Sequence, residues 1–171
     1  MIIEEYKCKD KTVEIIYGII STPFGEAIIA ISSQRICAFE FIDNNYEELL
    51  NRIEMEWSPA PFKRCDAAIQ SIGNQIFNPL EKHNLKLLLK GTPFQIKVWR
   101  ALLAIPFGSR VSYSELAHSI NMASATRAAA SAIARNHIAY IIPCHRVVSK
   151  SGAIGKYRWG SSRKESILES E

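Results

Sequence analysis

Residues 141–148 read IIPCHRVV, and the rest of the chain is organised around this stretch. A cysteine and a histidine follow a proline and lie between runs of isoleucine and valine, which are typical of buried extended segments. Pro143 fixes its own φ and favours extended geometry at Ile142, so the chain is stiff just before the thiol. A thiol held in a rigid, dry setting beside an imidazole is a candidate nucleophile. The stretch therefore predicts a reactive Cys144.

The neighbouring His145 is not expected to bond directly to Cys144, because successive side chains of an extended segment point to opposite faces. An unperturbed thiol with a pKa of about 8.5 is only a few per cent thiolate at neutral pH, so it needs help. If the imidazole activates the thiol, a turn or a bridging water has to intervene. A carboxylate should then orient the other ring nitrogen, and the candidates are Glu165, Glu169 and Glu171.

The composition indicates a globular protein, and its 171 residues suffice for one ordinary domain or two small ones. Glu4 and Glu5 near the N-terminus argue against a signal peptide, and the apolar runs are too short to span a bilayer. We therefore expect no membrane association and a cytoplasmic location, or a nuclear one in a eukaryote. Cys8, Cys37 and His83 match no compact zinc motif, and no Cys-x-x-Cys pair occurs, so neither a metal site nor disulfides are expected.

Charge is distributed unevenly along the chain. Residues 91–171 hold 11 Lys or Arg and 4 Asp or Glu, a net charge of +7, whereas residues 1–90 hold 10 and 13, a net charge of −3. A half of the chain with a strongly positive net charge suggests a polyanionic partner, with nucleic acid as the first candidate. A solvated basic face is the alternative explanation.

The N-terminal half offers little chemistry, and its free cysteines are expected in or near the core. Turn residues and β-branched runs predict a β-meander with strands at residues 13–20, 26–31 and 36–42. Apolar residues at helical spacing predict helices at residues 44–57 and 63–77, and a strand returns at residues 85–89.

The C-terminal half predicts a helix-turn-helix. Thr92 can cap a helix that runs to about residue 104 with Pro93 at its first position. Ser112 and Glu115 have the spacing of a capping box, which opens a helix through residue 120. After a turn at residues 121–123, Ser124 can cap a further helix to about residue 135. Two short helices joined by a tight turn form this motif.

The second helix of the motif is almost without bulk, since most of it is alanine, while Arg127 and Arg135 supply charge. Few of its side chains could read base edges in a major groove. A smooth helix suits close approach to a DNA backbone or a narrow groove. An interior alanine-rich helix would explain some of the alanines but not the arginines. Arg127, in the first turn, is placed to enter a duplex.

The hexapeptide PCHRVV at residues 143–148 resembles the active-site signature of the O6-alkylguanine-DNA alkyltransferases, or methylated-DNA–protein-cysteine methyltransferases. The similarity covers nearly all of residues 91–171, through positions 94–99, 107–108, 111–113, 116–117, 127, 136, 152, 155 and 157–160. Residues 1–88 are similar only in the order of strands and helices. The resemblance implies an α+β fold with a small N-terminal domain of antiparallel sheet and helices, residues 1–88. A mainly helical, winged-helix-like domain with the helix-turn-helix, residues 89–171, would follow.

By that resemblance Cys144 is the alkyl acceptor, His145 is its water-linked base, and Glu171 is the carboxylate that orients the histidine. Asn136 is the hinge that braces the cysteine region. Tyr113 rotates the nucleotide phosphate and donates a proton to the departing guanine.

The resemblance also implies which residues hold the DNA. Arg127 fills the gap left by the flipped base, and Ser114, Lys150 and Tyr113 contact the DNA. Besides the backbone at Cys144, the residues that surround the extruded base are Val147, Ile154, Gly155, Tyr157 and Arg158. The loop at residues 152–160 contains three glycines. It also carries aromatic and cationic side chains that are suited to lining a pocket for a planar ring.

The implied activity is direct reversal of O6-alkylguanine in double-stranded DNA, bound through the minor groove by a monomer. The base has to be flipped out of the stack, and activity on O4-alkylthymine is left open. The product is S-alkylcysteine, a thioether with no easy hydrolytic exit. No second thiol lies near Cys144 in the sequence. We therefore expect one turnover per molecule and no cofactor.

Two positions depart from the family pattern. Glu171 is the last residue of the sequence, where fraying is expected, and Glu169 is the substitute carboxylate. Arg158 stands where some relatives have a serine that bonds guanine O6.

Two other functions compete: a non-catalytic lesion-binding or winged-helix DNA-binding protein, and a cysteine hydrolase. The first would not need the thiol of Cys144, and the second would leave the basic half unexplained.

Overall fold

The protein is described by a computed structural model that covers residues 1–7, 14–43, 45–78 and 84–171. It divides into two compact units, Met1–Lys90 and Gly91–Glu171. The division lies two residues beyond the expected boundary at 88/89, because Leu89 still pairs with Glu5 in the sheet of the first unit. Cys8 and His83, considered above as zinc ligands, lie outside the described residues, as do the predicted element ends at residues 13 and 44.

The first unit is built on a mixed sheet whose strands lie in the order β1-β6-β4-β3-β2-β5. These strands are β1 (Ile2–Glu5), β2 (Ile15–Thr22), β3 (Gly25–Ser32), β4 (Arg35–Phe41), β5 (Phe62–Arg64) and β6 (Lys86–Leu89). The predicted meander is confirmed, since β2, β3 and β4 pair antiparallel. Parallel pairs extend it on both sides. The short edge strands β1 and β5 are largely exposed and carry too little periodicity to be predicted.

The described part of this unit contains two α-helices, α1 (Tyr46–Trp57) and α2 (Asp66–Phe77). The side chain of Asn45 accepts a hydrogen bond from the Glu48 N–H and caps α1. The prediction that α2 begins at residue 63 was wrong, because residues 62–64 pair with β2 as strand β5. Cys37 is buried in the core and Cys65 is half-buried before α2, as expected for structural cysteines.

The second unit contains four helices and a small parallel strand pair within the described chain. The elements are α3 (Pro93–Leu103), β7 (Val111–Ser112), α4 (Tyr113–Ser119), α5 (Thr126–Ala134), β8 (Val147–Val148) and α6 (Ser161–Glu169). The capping box at the start of α3 is complete, because Thr92 and Gln95 exchange side-chain and backbone hydrogen bonds. β7 pairs with β8, and this pairing brings the start of α4 beside the segment that follows Cys144.

Over the described residues, no helix combines the length and the apolar character that crossing a lipid bilayer would demand.

Candidate active site

The helix-turn-helix consists of α4 and α5, and α4 begins at the predicted capping box. The Ser112 hydroxyl accepts a hydrogen bond from the Glu115 N–H at 3.2 Å, and the Ser112 N–H donates to Glu115 Oε2 at 2.6 Å. This reciprocal pair fixes Tyr113 as the first residue of the helix. Ser114 is exposed, and its hydroxyl oxygen lies 3.0 Å from that of Ser112.

The entry into α5 differs from the prediction. Residues 123–125 form a short 3-10 helix that runs directly into α5, whose N-cap position is Ala125. Ser124 therefore lies inside helical structure, and its prediction as the N-cap was wrong. No side chain caps α5 at this end.

The α5 helix has one buried and one exposed face, and the two differ in what they carry. Ala129 and Ala132 are buried, and the Ala132 carbonyl accepts a hydrogen bond from the indole of Trp99 at 2.9 Å. The exposed face is small and basic, and it comprises Arg127, Ala128, Ser131, Ala134 and Arg135. Packing in the interior therefore explains the alanines of one face, while the approach of the other face to DNA stays a prediction.

Asn136 follows α5 and is the centre of a buried hydrogen-bond cluster. Its side-chain NH2 group donates to the carbonyls of Ile138 at 3.2 Å and Ile142 at 3.1 Å, and it lies 3.3 Å from Cys144 Sγ. Its side-chain carbonyl accepts from the Ile138 N–H at 2.9 Å. One side chain thus ties the end of the helix-turn-helix to the cysteine.

Cys144 lies in a turn rather than in an extended segment. Residues 144–146 form a 3-10 helix, closed by a hydrogen bond from the Arg146 N–H to the Pro143 carbonyl at 3.0 Å. The extended geometry predicted on both sides of Pro143 was therefore wrong before the proline and at Cys144, because residues 139–142 form turns and residues 144–146 form this helix. Extended structure begins at Val147 in β8. A turn or a bridging water was expected between His145 and the thiol, and the turn is present.

The Cys144 thiol is buried, and two tyrosines face it. Burial raises the pKa of Cys144, while the hydrogen bond from Asn136 and the positive charge of Lys164 lower it. The pKa values of Tyr113 and Tyr157 are raised by burial and by the Cys144 charge. The Tyr157 hydroxyl is buried, and its contact with the thiol raises its own pKa and lowers the pKa of Cys144. The net effect raises the Cys144 pKa, so the site favours the neutral thiol.

His145 is fully buried and contacts Glu171, with 3.0 Å between Nε2 and Oε1. An ionised carboxylate only accepts hydrogen bonds, so Nε2 carries the proton and Nδ1 of the neutral ring is a free base. Nδ1 is buried and has no hydrogen-bond partner among the described residues. Burial lowers the His145 pKa and outweighs the opposing effect of Glu171. The ring stacks on Tyr140 at 6.2 Å between centroids.

The Glu171 side chain is only 4% exposed, so the last residue of the sequence is held in place. Arg146 donates through Nε and Nη2, at 2.7 Å for the shortest contact. The Gly108 N–H donates to Oε2 at 3.3 Å. Burial raises the Glu171 pKa, but the hydrogen bonds and charges of His145 and Arg146 together outweigh it and lower the pKa to about 2. The substitute Glu169 is exposed.

The remaining predicted residues lie around this centre. Val147 is buried, Ile154 and Tyr157 are half-buried, and Gly155 has a φ of 69°, which favours glycine. The exposed Arg158 is near the end of α5, with Nη1 3.4 Å from the Asn136 carbonyl. Lys150 is exposed beyond β8. The pKa of Glu115 in α4 is lowered mainly by its hydrogen bonds with Ser112 and to a smaller extent by the charge of Lys150.

Two functional candidates were not anticipated from the sequence, Arg146 and Lys164. Arg146 stands inside the recognised hexapeptide, but nothing in the local pattern indicates its bond to Glu171. Lys164 is buried, and its Nζ donates to two carbonyls. A signal existed here, because position 164 lies three and four residues before the buried Ile167 and Leu168 on one helical face.

Clusters of three or more potential metal ligands do not occur in the part of the chain that is described. The groups gathered at Cys144 are a thiol, an imidazole, a carboxylate, a carboxamide and two phenols, which suffice for nucleophilic chemistry with proton transfer.

Comparison with known proteins identifies the family. Residues 93–171 match the family model described as the DNA-binding domain of 6-O-methylguanine DNA methyltransferase. The regulatory protein Ada of Salmonella typhimurium is 35% identical over all of this chain, which spans only 49% of that protein. The methylated-DNA–protein-cysteine methyltransferase of Mycobacterium tuberculosis is 34% identical, with 91% of each chain covered.

A solved structure is similar across both units. The crystal structure of Mycobacterium tuberculosis OGT in complex with DNA has a TM-score of 0.70 and 28% sequence identity, covering 90% of this chain and 91% of that one. The α+β fold expected from the sequence is thereby confirmed. Because sequence identity to the mycobacterial methyltransferase reaches 34% over 91% of both chains, this chain belongs to the methylated-DNA–protein-cysteine methyltransferase family.

Proposed function

We propose that this protein repairs DNA by moving an alkyl group from guanine O6 to Cys144, once per molecule. The observation that carries the proposal is a buried thiol 3.3 Å from the Asn136 amide, beside a His145–Glu171 pair, in a member of this family. The related proteins named methylated-DNA–protein-cysteine methyltransferase support the reaction, and the DNA complex of the mycobacterial OGT supports DNA as the partner.

The reaction uses the thiol as a soft nucleophile. The thiol proton passes to His145, the sulfur forms a bond to the alkyl carbon, and the bond from that carbon to O6 breaks with its electron pair left on guanine. A proton delivered to the guanine balances that charge, and Tyr113 is the proposed donor. The products are S-alkylcysteine and unmodified guanine. A thioether does not hydrolyse readily, so the protein is consumed.

His145 fits the role of base, through a water molecule, because its neutral Nδ1 is an acceptor and Glu171 holds Nε2. Asn136 is the hinge and supports the sulfur. A pocket formed by Val147, Ile154, Gly155, Tyr157 and Arg158 would hold the extruded base, which costs a few kcal/mol to unstack.

The proposed partner is double-stranded DNA carrying O6-alkylguanine, with the exposed small face of α5 in the minor groove. Arg127 would fill the gap in the stack, while Tyr113, Ser114 and Lys150 would contact the backbone near the flipped nucleotide. These side chains belong to α4, α5 and the end of β8, in one unit with a net charge of +7. We propose that the protein acts as a monomer in the cytoplasm, or in the nucleus of a eukaryote.

The test uses duplex DNA with an isotopically labelled methyl group on guanine O6. Mass spectrometry of the digested protein should find the label on the peptide that contains Cys144, at no more than one per molecule. A Cys144→Ser variant should bind the same duplex and leave the lesion intact. Repeated turnover would indicate a conventional enzyme, and an intact lesion with stoichiometric wild-type protein would leave the non-catalytic lesion-binding function.

A further inference from the structure

Lys164 is the only lysine or arginine that is buried among the residues the structure describes, with 1% of its surface exposed. Burying a charge is costly unless it is paired or well hydrogen-bonded. No carboxylate pairs with Lys164 in the described chain. Its Nζ instead donates to the carbonyls of Val147 and Ile154, both at 2.6 Å. Such an arrangement calls for a reason beyond packing.

The two carbonyls belong to two different segments of the chain, and both segments follow Cys144 in the sequence. Val147 is in β8, immediately after the turn that holds Cys144, and Ile154 opens the loop proposed to hold the base. Lys164 itself lies on α6, which is anchored by the buried Ile167 and Leu168. The ammonium therefore joins the cysteine segment to that loop from a firmly packed helix.

We propose that Lys164 is a positioning residue that holds Val147 and Ile154 in register and whose ammonium stabilises the thiolate of Cys144. The proposal rests on the function proposed above, since only a thiolate nucleophile needs that charge. Lys164 does not touch the substrate in this scheme and acts through the sulfur.

Among the groups near the thiol, Lys164 is the one that supplies a positive charge to stabilise the thiolate. Asn136 is a neutral donor, and Tyr113 and Tyr157 are neutral phenols whose pKa values are raised by burial. His145 has a pKa lowered by burial, so at neutral pH it is uncharged and cannot supply the positive field. Lys164 is the charged side chain among the main influences on the Cys144 pKa, and it lowers that pKa.

The influence is reciprocal. Burial lowers the pKa of Lys164, and the Cys144 charge raises it. The ammonium and the thiolate thus favour each other, so loss of either charge makes the other less stable. This coupling offers a readout that a purely structural lysine would not give.

The experiment measures alkylation of Cys144 by iodoacetamide as a function of pH, followed on the Cys144 peptide by mass spectrometry. Lys164→Gln keeps a donor for the carbonyls and removes the charge, whereas Lys164→Met removes both and Lys164→Arg keeps the charge. We expect the midpoint of the pH profile to rise by about one unit or more in the first two variants, with roughly tenfold slower modification at pH 7. Lys164→Arg should remain closer to wild type.

Lys97→Met, at an exposed lysine of α3, is the control and should titrate as wild type. If Lys164→Met does not fold, as judged by its thermal unfolding, Lys164→Gln carries the test. An unchanged midpoint in folded Lys164→Gln overturns the proposal. Methyl transfer from O6-methylguanine DNA is measured in parallel. Failure of wild-type protein in that assay contradicts the proposed function, whereas the iodoacetamide profile still decides the role of Lys164.

Discussion

At the scale of single residues, the site depends on one carboxylate that serves two partners. Glu171 Oε1 lies 3.0 Å from His145 Nε2 and 2.7 Å from Arg146 Nη2. The bond from Arg146 to the Ile105 carbonyl, at 2.6 Å, fixes the guanidinium as well. These contacts and the Gly108 N–H hold the Glu171 carboxylate in place. Arg146 therefore makes it available to the histidine.

Replacing Glu171 with Gln should lower the free energy of unfolding by about 1–3 kcal/mol at pH 7, because the charged Arg146 and the buried His145 lose their ionised acceptor. The folded pKa of about 2 lies below the ordinary 4.5, so the ionised carboxylate stabilises the fold above pH 4.5. That contribution is lost as the pH falls from 4.5 toward 2. Urea denaturation of both proteins at several pH values should show their difference shrinking over this window. The exposed Glu169→Gln is the control, and an equal effect of both substitutions would contradict the prediction.

Asn136→Ala should affect stability and thiol chemistry together. The substitution removes the side-chain donor to the carbonyls of Ile138 and Ile142, each of which keeps one backbone donor, and it leaves the buried Ile138 N–H without its side-chain acceptor. We therefore expect the free energy of unfolding to fall by about 1–3 kcal/mol. It also removes the hydrogen bond that lowers the Cys144 pKa, so alkylation of the thiol should shift to higher pH. Denaturation curves and the pH profile of iodoacetamide modification measure the two effects. A stability loss with an unchanged profile would reduce Asn136 to a structural residue.

At the scale of elements, the sequence predicted those with strong local signals. The helix caps at Thr92 and Ser112 and the turns of the meander are local chemistry, and the structure places α3, α4 and the strands accordingly. The turn at Cys144 could not be predicted in the same way. A run of isoleucine and valine favours extended backbone, but the hydrogen bonds from Asn136 and the packing of α6 override that preference.

The family resemblance and the residue spacing differ in how much of the site they predicted. Resemblance selected Cys144, His145 and Glu171, and the structure brings the last two within hydrogen-bond distance. The helical spacing of Lys164 with Ile167 and Leu168 indicates that it is buried, but it does not indicate its partners, which are backbone carbonyls. Arg146 could not be selected, because its partners are a carbonyl and a carboxylate remote in sequence. Spacing carries no information on contacts of that kind.

The two faces of α5 predict opposite consequences for two neighbouring alanines. Ala129 is fully buried, so Ala129→Leu should overpack the unit and lower the free energy of unfolding by about 1–3 kcal/mol. Ala128 is exposed, so Ala128→Leu should change stability by less than about 0.5 kcal/mol. The same leucine would stand in the proposed groove contact and weaken duplex binding by about tenfold, or 1.4 kcal/mol. Thermal denaturation and fluorescence anisotropy with a labelled duplex separate the two effects. Normal duplex binding by Ala128→Leu would remove this face from the interface.

Arg127, exposed on the first turn of α5, should matter only when a base has to leave a duplex. Arg127→Ala is expected to slow methyl transfer from duplex DNA far more than transfer from free O6-methylguanine base, because the free base needs no extrusion. Single-turnover rates with the two substrates measure the ratio. An equal loss on both substrates would exclude a role in flipping.

At the scale of the whole molecule, the charge divides along the boundary between the two units. Met1–Lys90 carries −3 and Gly91–Glu171 carries +7, although the chain as a whole is only +4. Affinity for DNA from phosphate contacts depends on counterion release, which is a local property of the surface that meets the backbone. Net charge of the whole chain is therefore a poor guide to its binding, and the contribution of each unit can be measured separately.

Substituting single lysines in the two units tests this division. Lys150→Ala removes an exposed cation beside α4 and should reduce the slope of log K against log salt by about 0.9, the value for one phosphate contact. Lys63→Ala removes an equally exposed cation from β5 of the first unit and should leave the slope unchanged. Binding to an undamaged duplex, measured between low and moderate salt, suffices because phosphate contacts do not depend on the lesion. A slope that changes with Lys63 and not with Lys150 would assign the DNA surface to the first unit, since counterions are released only where the protein and the phosphates meet.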